Sequence, residues 1–162
     1  RPRRRVERGQ AAGGAQLLVA EPVALQTLEA DRIVVRGAEG AVSFLGGAQW
    51  ADRLPRLLQS RIVQSFENAG KAVGRAGSGL SADYVLGADI RAFGVTTANG
   101  TPQVEIEFSV KVIDNSGRIV AARVFRSAAP IGQVAGPEAA VALDRLMTPI
   151  LAEIVRWVGN RA

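Results

Sequence analysis

The sequence predicts an α+β fold, a two-layer sandwich in which a mostly antiparallel sheet carries two amphipathic helices packed on one face. Three observations lead there. Val104, Ile106, Phe108, Val110 and Val112 alternate with Glu105, Glu107, Ser109 and Lys111, so one sheet face is apolar and the other lies in water. Two other stretches repeat apolar residues every three or four positions, the spacing of a helix with one buried side. The order along the chain is strands, helix, strands, helix, and both striped helices need cover from the single apolar sheet face.

Residues 1–15, rich in Arg, Gly and Ala without periodicity, read as a flexible basic leader, and residues 16–162 as a single domain. Leu17 to Ala20 form a short strand ended by Glu21-Pro22. Ile33 to Val35, between Asp31 and Gly37, form a second strand, and Val42 to Leu45 a third. From Trp50 the period changes. Leu54, Leu58, Ile62 and Phe66 share one helical face, with Leu57 and Ala69 alongside, while Arg53, Arg56, Arg61 and Gln64 lie off it, which gives a helix over residues 53–69. Asp52 is placed to cap its start, Pro55 is tolerated in the first turn, and Gly70 supplies the stop. A short strand at Lys71 to Val73 then leads into a loose Gly, Ala and Ser connection, Gly74 to Gly79.

Three longer strands follow: Tyr84 to Phe93, the alternating strand through Val112, and Arg118 to Ser127. Asn99-Gly100 and Asn115-Ser116-Gly117 join them, and these residues accept the positive φ of hairpin turns, so the three strands form a meander. Gly136-Pro137-Glu138 opens the second helix, whose stripe is Leu143, Leu146, Met147, Ile150, Ile154, Trp157 and Val158. Pro149 lies within that stripe and cannot donate to the Arg145 carbonyl, so a kink or break is expected there.

The 162 residues contain neither Cys nor His, which removes thiol nucleophiles, imidazole bases, Ser-His-Asp triads and thiolate or imidazole metal sites. The excess of 20 Lys and Arg over 15 Asp and Glu is concentrated at one end. Arg1, Arg3, Arg4, Arg5 and Arg8 stand against Glu7 alone, and the rest of the chain is nearly neutral. A basic arm on a neutral body suits an anionic membrane surface or a flexible tether better than sequence-reading of nucleic acid, the plain alternative being a solvated tail, and those five arginines are the candidate membrane-surface residues. No apolar run approaches the roughly 18 residues that cross a bilayer. The chain begins at Arg1 and not at Met, so an upstream signal, anchor or tag is expected to have been removed.

Paired carboxylates are the catalytic option that this composition leaves open. Glu105 and Glu107 share the polar face of a strand, where nothing would move a pKa toward neutrality, and Asp83 and Asp89 are six residues apart, too far for a dyad. The stretch Gly74 to Gly79 lacks the Lys-Ser/Thr and the following helix of a phosphate loop and reads as a connector. Phe93 and Phe125 are candidates for the outer sheet face, where an RNA-binding sheet places stacking aromatics, but the glutamates there repel phosphate, so no nucleic-acid partner is expected. Trp50 and Trp157 read as packing residues. No enzyme activity, cofactor or metal is expected.

With these residues in view, the chain resembles the ABC-type transport auxiliary lipoprotein family from about Leu17 to Trp157. The similarity rests on the joint order of L-L-V-A-E-P-V-A, D-R-I-V-V-R, Q-W-A-D-R-L-P-R-L-L-Q-S-R-I-V-Q-S-F, S-A-D-Y-V-L-G-A-D-I-R-A-F, the strand ending in V-I-D, and the helix ending at Trp157. The resemblance implies a non-enzymatic periplasmic accessory that works with an MCE-domain protein and an ABC permease and ATPase to move lipids between inner and outer membrane. It also implies anchoring by an acylated N-terminal Cys, here expected upstream of Arg1, with the outer membrane favoured. The family carries no catalytic motif to transfer. Docking through a sheet edge, an exposed loop or a homo-oligomer contact is one expectation; the alternative is a carrier that itself encloses an acyl chain, which would need an apolar cavity between helices and sheet.

Overall fold

The computed structural model describes residues 15–160. An eight-stranded mixed sheet is covered on one face by two helices, as the α+β reading expected. The strands are β1 (Leu17–Val19), β2 (Val23–Ala24), β3 (Arg32–Arg36), β4 (Val42–Gln49), β5 (Val73–Arg75), β6 (Tyr84–Thr96), β7 (Gln103–Asp114) and β8 (Ile119–Pro130). The helices are α1 (Leu54–Asn68) and α2 (Gly136–Gly159).

The long antiparallel ladders β6–β7 and β7–β8 form the expected meander, and Gly100 and Gly117 take the positive φ that their turns require. The N-terminal strands are arranged differently from a simple antiparallel extension. β1, β2 and β3 lie one after another along the free edge of β6, all parallel to it, opposite Tyr84–Leu86, Asp89–Ile90 and Gly94–Thr96. β5 extends the sheet beyond β1, in parallel, and β4 extends it beyond β3, antiparallel. These parallel ladders are two or three residues long, so the antiparallel share still dominates the paired length.

β6 does not keep one alternation from end to end. Leu86 and Ile90 face the helices, but the register shifts between Ile90 and Ala92, which makes Arg91 a bulge and brings Phe93 and Val95 to that same face. Phe93 is therefore buried, stacked on Phe108 with centroids 6.1 Å apart and met edge-on by Trp50 at 5.6 Å. Phe125 sits opposite Phe108 in the β7–β8 ladder, hence on the same face, and its ring meets that of Trp157 edge-on at 5.7 Å. The expectation that Phe93 and Phe125 could lie on the outer face is thus corrected. Both are core residues.

α1 buries Leu54, Leu58, Ile62, Val63 and Phe66, and Gly70 with φ +81° ends it as expected. Asp52 acts one residue ahead of the cap position: it accepts the Arg53 N–H at 2.7 Å and pairs with Arg56 at 3.3 Å, while Arg53 occupies the cap without a side-chain bond. The buried Gln59 amide donates to the Val19 carbonyl at 3.0 Å, which fixes α1 to β1. Of the kink or break expected at Pro149, a break does not occur: α2 runs as one helix through it. Arg145 and Pro149 are both exposed, so the carbonyl that loses its partner is open to water, and the buried Leu143, Met147, Ile150 and Leu151 hold both sides of the site to the sheet.

Two glycines are required by close approach. A Cβ on Gly94 would overlap the Val34 carbonyl oxygen, and one on Gly136 would overlap the Gly46 carbonyl oxygen and lie 2.6 Å from the Ala48 nitrogen. The start of α2 therefore packs backbone to backbone against β4. Gly136→Ala is expected to lower stability by about 1–3 kcal/mol, while Gly159→Ala, with open space around it, leaves stability unchanged or raises it by up to about 1 kcal/mol. Urea unfolding of the two variants distinguishes a clamp from a merely small residue; equal effects would remove the clamp.

Candidate functional site

The sheet face away from the helices is the exposed functional surface that the fold offers, and its centre is a cross-strand ladder of charge. β7 alternation points Glu105 and Glu107 outward. Arg36 of β3 pairs with Glu105. Glu107 takes two arginines, Arg91 at 3.4 Å and Arg126 at 3.6 Å. The bulge that turns Phe93 inward thus also places Arg91 beside Glu107. Both glutamates are half-buried and engaged by arginine at the sheet surface. Pairs of this kind contribute about 0–1 kcal/mol each to stability.

The other carboxylates serve local structure. Asp83 accepts the Gln16 N–H at 2.6 Å, where the chain enters the sheet. Asp114 organises the β7–β8 turn: its Oδ1 accepts the Ser116 hydroxyl at 2.7 Å and the N–H groups of Ser116 and Arg118 at 2.9 and 3.0 Å. The Ser116 hydroxyl bond, followed by the Arg118 N–H, holds the Asp114 carboxyl below its ordinary value of 3.8. Asp83 and Asp89 do not meet as a pair. Among the described residues no group of three or more metal-ligating side chains converges, and no helix is long and apolar enough to cross a membrane.

The glycine-rich stretch leads into no phosphate loop. Gly74 is part of β5, Gly77 and Gly79 take positive φ in the turn that follows, and the chain proceeds into β6 with no helix. Between the helices and the sheet lies a small cleft lined by Leu58, Ile62, Leu86, Ile90, Phe108 and Ile154 among others, all apolar. It has room for about one water-sized sphere, far from the roughly 300–1,000 Å³ of a ligand pocket, so the carrier reading finds no cavity there. Arg1, Arg3, Arg4, Arg5 and Arg8, the candidate membrane-surface residues, lie outside the described residues.

A family model described as the ABC-type transport auxiliary lipoprotein component matches residues 1–155. The uncharacterized protein bll6063 of Bradyrhizobium diazoefficiens is 34% identical over 148 residues, which are 88% of this chain and 39% of that protein. The chain thus spans about two-fifths of that relative's length. Among solved structures, protein XCC0632 from Xanthomonas campestris is 34% identical with a TM-score of 0.80, over 89% of this chain and 83% of that one. The hypothetical protein CT253 from Chlamydia trachomatis shares the fold alone, at 13% identity and a TM-score of 0.58, over 91% of this chain and 98% of that one.

The Asp114 turn gives a pH prediction. Because the folded carboxyl titrates below the unfolded value of 3.8, its contribution to stability is complete above that value and is lost as pH falls through the lower, folded one. A carboxyl-detected NMR titration should find Asp114 below 3.8, and Ser116→Ala should move it upward; a titration unchanged by Ser116→Ala would remove the hydroxyl as the cause.

Proposed function

The chain belongs to the family of ABC-type transport auxiliary lipoprotein components, and on that premise we propose that it is a non-enzymatic docking component of a lipid transport system, in contact with an MCE-domain protein and its ABC permease and ATPase. The observation that carries the reading is the family match across nearly the whole chain, residues 1–155. The chemistry of the described surface supports it: the outer-face glutamates are held in ion pairs with arginine, and the interior cleft is smaller than an acyl chain needs.

We place the chain in the periplasm, tethered to a membrane through a lipid-modified residue N-terminal to Arg1, with the outer membrane favoured and contact with a second copy as a further docking mode. Arg1, Arg3, Arg4, Arg5 and Arg8 then lie on the tether, where each basic side chain near an anionic leaflet is worth about 1 kcal/mol.

Two measurements test these statements. A pull-down of the tagged protein from cell-envelope extract should recover an MCE-domain or ABC component without stoichiometric lipid; stoichiometric phospholipid and no transport protein would overturn the docking role. Replacing Arg3, Arg4 and Arg5 together with Ser should lower partitioning onto anionic vesicles at low salt by on the order of a hundredfold, with the unfolding midpoint unchanged. Equal partitioning would remove the arginines from the membrane contact.

A further inference from the structure

The strand register assembles an apolar row that runs across five strands. Ile119 of β8 pairs with Ile113 of β7, Ile113 with Val85 of β6, Val85 with Leu18 of β1, and Leu18 with Gly74 of β5. All five positions lie on the sheet face away from the helices, since their chain neighbours Val112, Leu86, Leu17 and Val19 belong to the helix-side core. At roughly 4.8 Å per strand the row is about 19 Å long.

Leu80 closes one end. A Cβ on Gly74 would lie 2.7 Å from the Leu80 Cδ1 and 3.0 Å from the Leu18 Cδ2, so the missing side chain at Gly74 is the space into which the two leucines fit. Leu18 is buried, yet it is not part of the helix-side core; it is the floor of a second, smaller apolar cluster. The ends of the row face solvent: Leu80 is 54% exposed and Ile119 57%, with Val120, the extra residue of a bulge in β8, at 49%. Aligned apolar side chains form a patch, unlike single apolar residues scattered over a surface.

The position of the row in the chain selects its occupant. Residues 1–14, outside the described structure, connect to the body at this end of the sheet, where Gln16 donates its N–H to Asp83 and its side-chain amide to the Ser81 carbonyl at 2.8 Å, beside the loop that carries Leu80. Arg8 is eight residues from Gln16, so chain connectivity keeps it within about 29 Å of that point. Arg118 adjoins Ile119, and Lys111 stands outward in the neighbouring row of β7. The acids at this end, Asp83 and Asp114, accept backbone N–H groups and balance Arg118 and Lys111 in charge, so the basic excess here is that of Arg1, Arg3, Arg4, Arg5 and Arg8. Basic charge and exposed apolar side chains at one end of a body are the two contributions that hold proteins in a membrane interface.

We propose that this row, with Leu80 and Ile119 at its exposed ends, is the part of the folded body that sits on an anionic lipid surface. The proposal rests on the reading of the chain as tethered through its N-terminus, and it adds a second contact by which the tether and the body orient the sheet against one membrane.

The chain has no cysteine, so single environment-sensitive labels can be placed by Leu80→Cys, Ile119→Cys and, on the exposed side of α2, Val141→Cys. With vesicles of phosphatidylglycerol and phosphatidylethanolamine, labels at 80 and 119 should brighten by about twofold or more on transfer to the apolar interface, and the label at 141 should not change. In 0.5 M salt, where the leader's charge is screened, Leu80→Ser combined with Ile119→Ser should reduce partitioning roughly tenfold. Labels at 80 and 119 that respond no more than the one at 141 would overturn the proposal, as would a double variant that partitions like its parent. The labelled proteins keep the test decisive if the double Ser variant folds poorly. Failure here is separable from failure of the tether: loss of binding in the leader variant with silent body labels refutes the row alone, whereas absence of the protein from envelope membranes in cells refutes the tether.

Discussion

The residue that most of the sheet depends on is Arg91, inserted without a ladder partner into β6, the strand on which β1, β2 and β3 all pair. Before it, β6 turns Leu86 and Ile90 toward the helices; after it, the same face receives Phe93 and Val95. A strict alternation would have put Phe93 in water and Gly94 under the helices. With the bulge, Gly94 faces outward at the point where the β3 backbone comes closest, and the absence of its Cβ allows the Val34 carbonyl to lie there. The seating of β3, and of β4 beyond it, follows from that one extra residue.

The second fixed point is the contact of α2 with β4. Gly136 begins the helix against Gly46 and Ala48, so the helix axis is set by backbone, not by adaptable side chains. Once set, the stripe from Ala139 to Val158 falls on β6, β7 and β8, and Phe125 meets Trp157 near the far end. Pro149 is accommodated because the backbone group it frees is on the wet side. The helix is held by burial on both sides of the proline, and local propensity gives way to packing.

Both helices, the meander and its two turns were legible in the sequence because each is specified by neighbours within a few residues: a period of 3.6 or of 2, an Asn-Gly, a Gly after the last apolar position. What was not legible depends on partners distant in the chain. The three short strands beside β6 gain their hydrogen bonds only after α1 has carried the chain across the sheet, and β2, with two residues, has no pattern of its own. The bulge hides because Ile90, Arg91, Ala92, Phe93 reads equally well as continued alternation with one exception. The apolar row is the strongest case: Leu18, Val85, Ile113 and Ile119 are spread over a hundred residues, and each taken singly looks like the edge of the core. Only the register shows them side by side on the other face.

The two faces of the sheet consequently meet different surroundings. On the helix side the cleft between helices and sheet has room for about one water, and the outer face, the edges and the end near Gln16 are the surfaces the described residues present to a partner. On the outer face, Glu105 and Glu107 are paired with Arg36, Arg91 and Arg126, three arginines against two glutamates, so most of the charge there is matched within the ladder. Below them the face turns apolar at the level of Ile113, on the side where Gln16 lies. The proposed tether would restrain distance but not orientation. An apolar row beside the attachment point supplies the missing restraint, and it leaves the ladder of ion pairs and the long free edge of β8 turned to the partners that the proposed role requires.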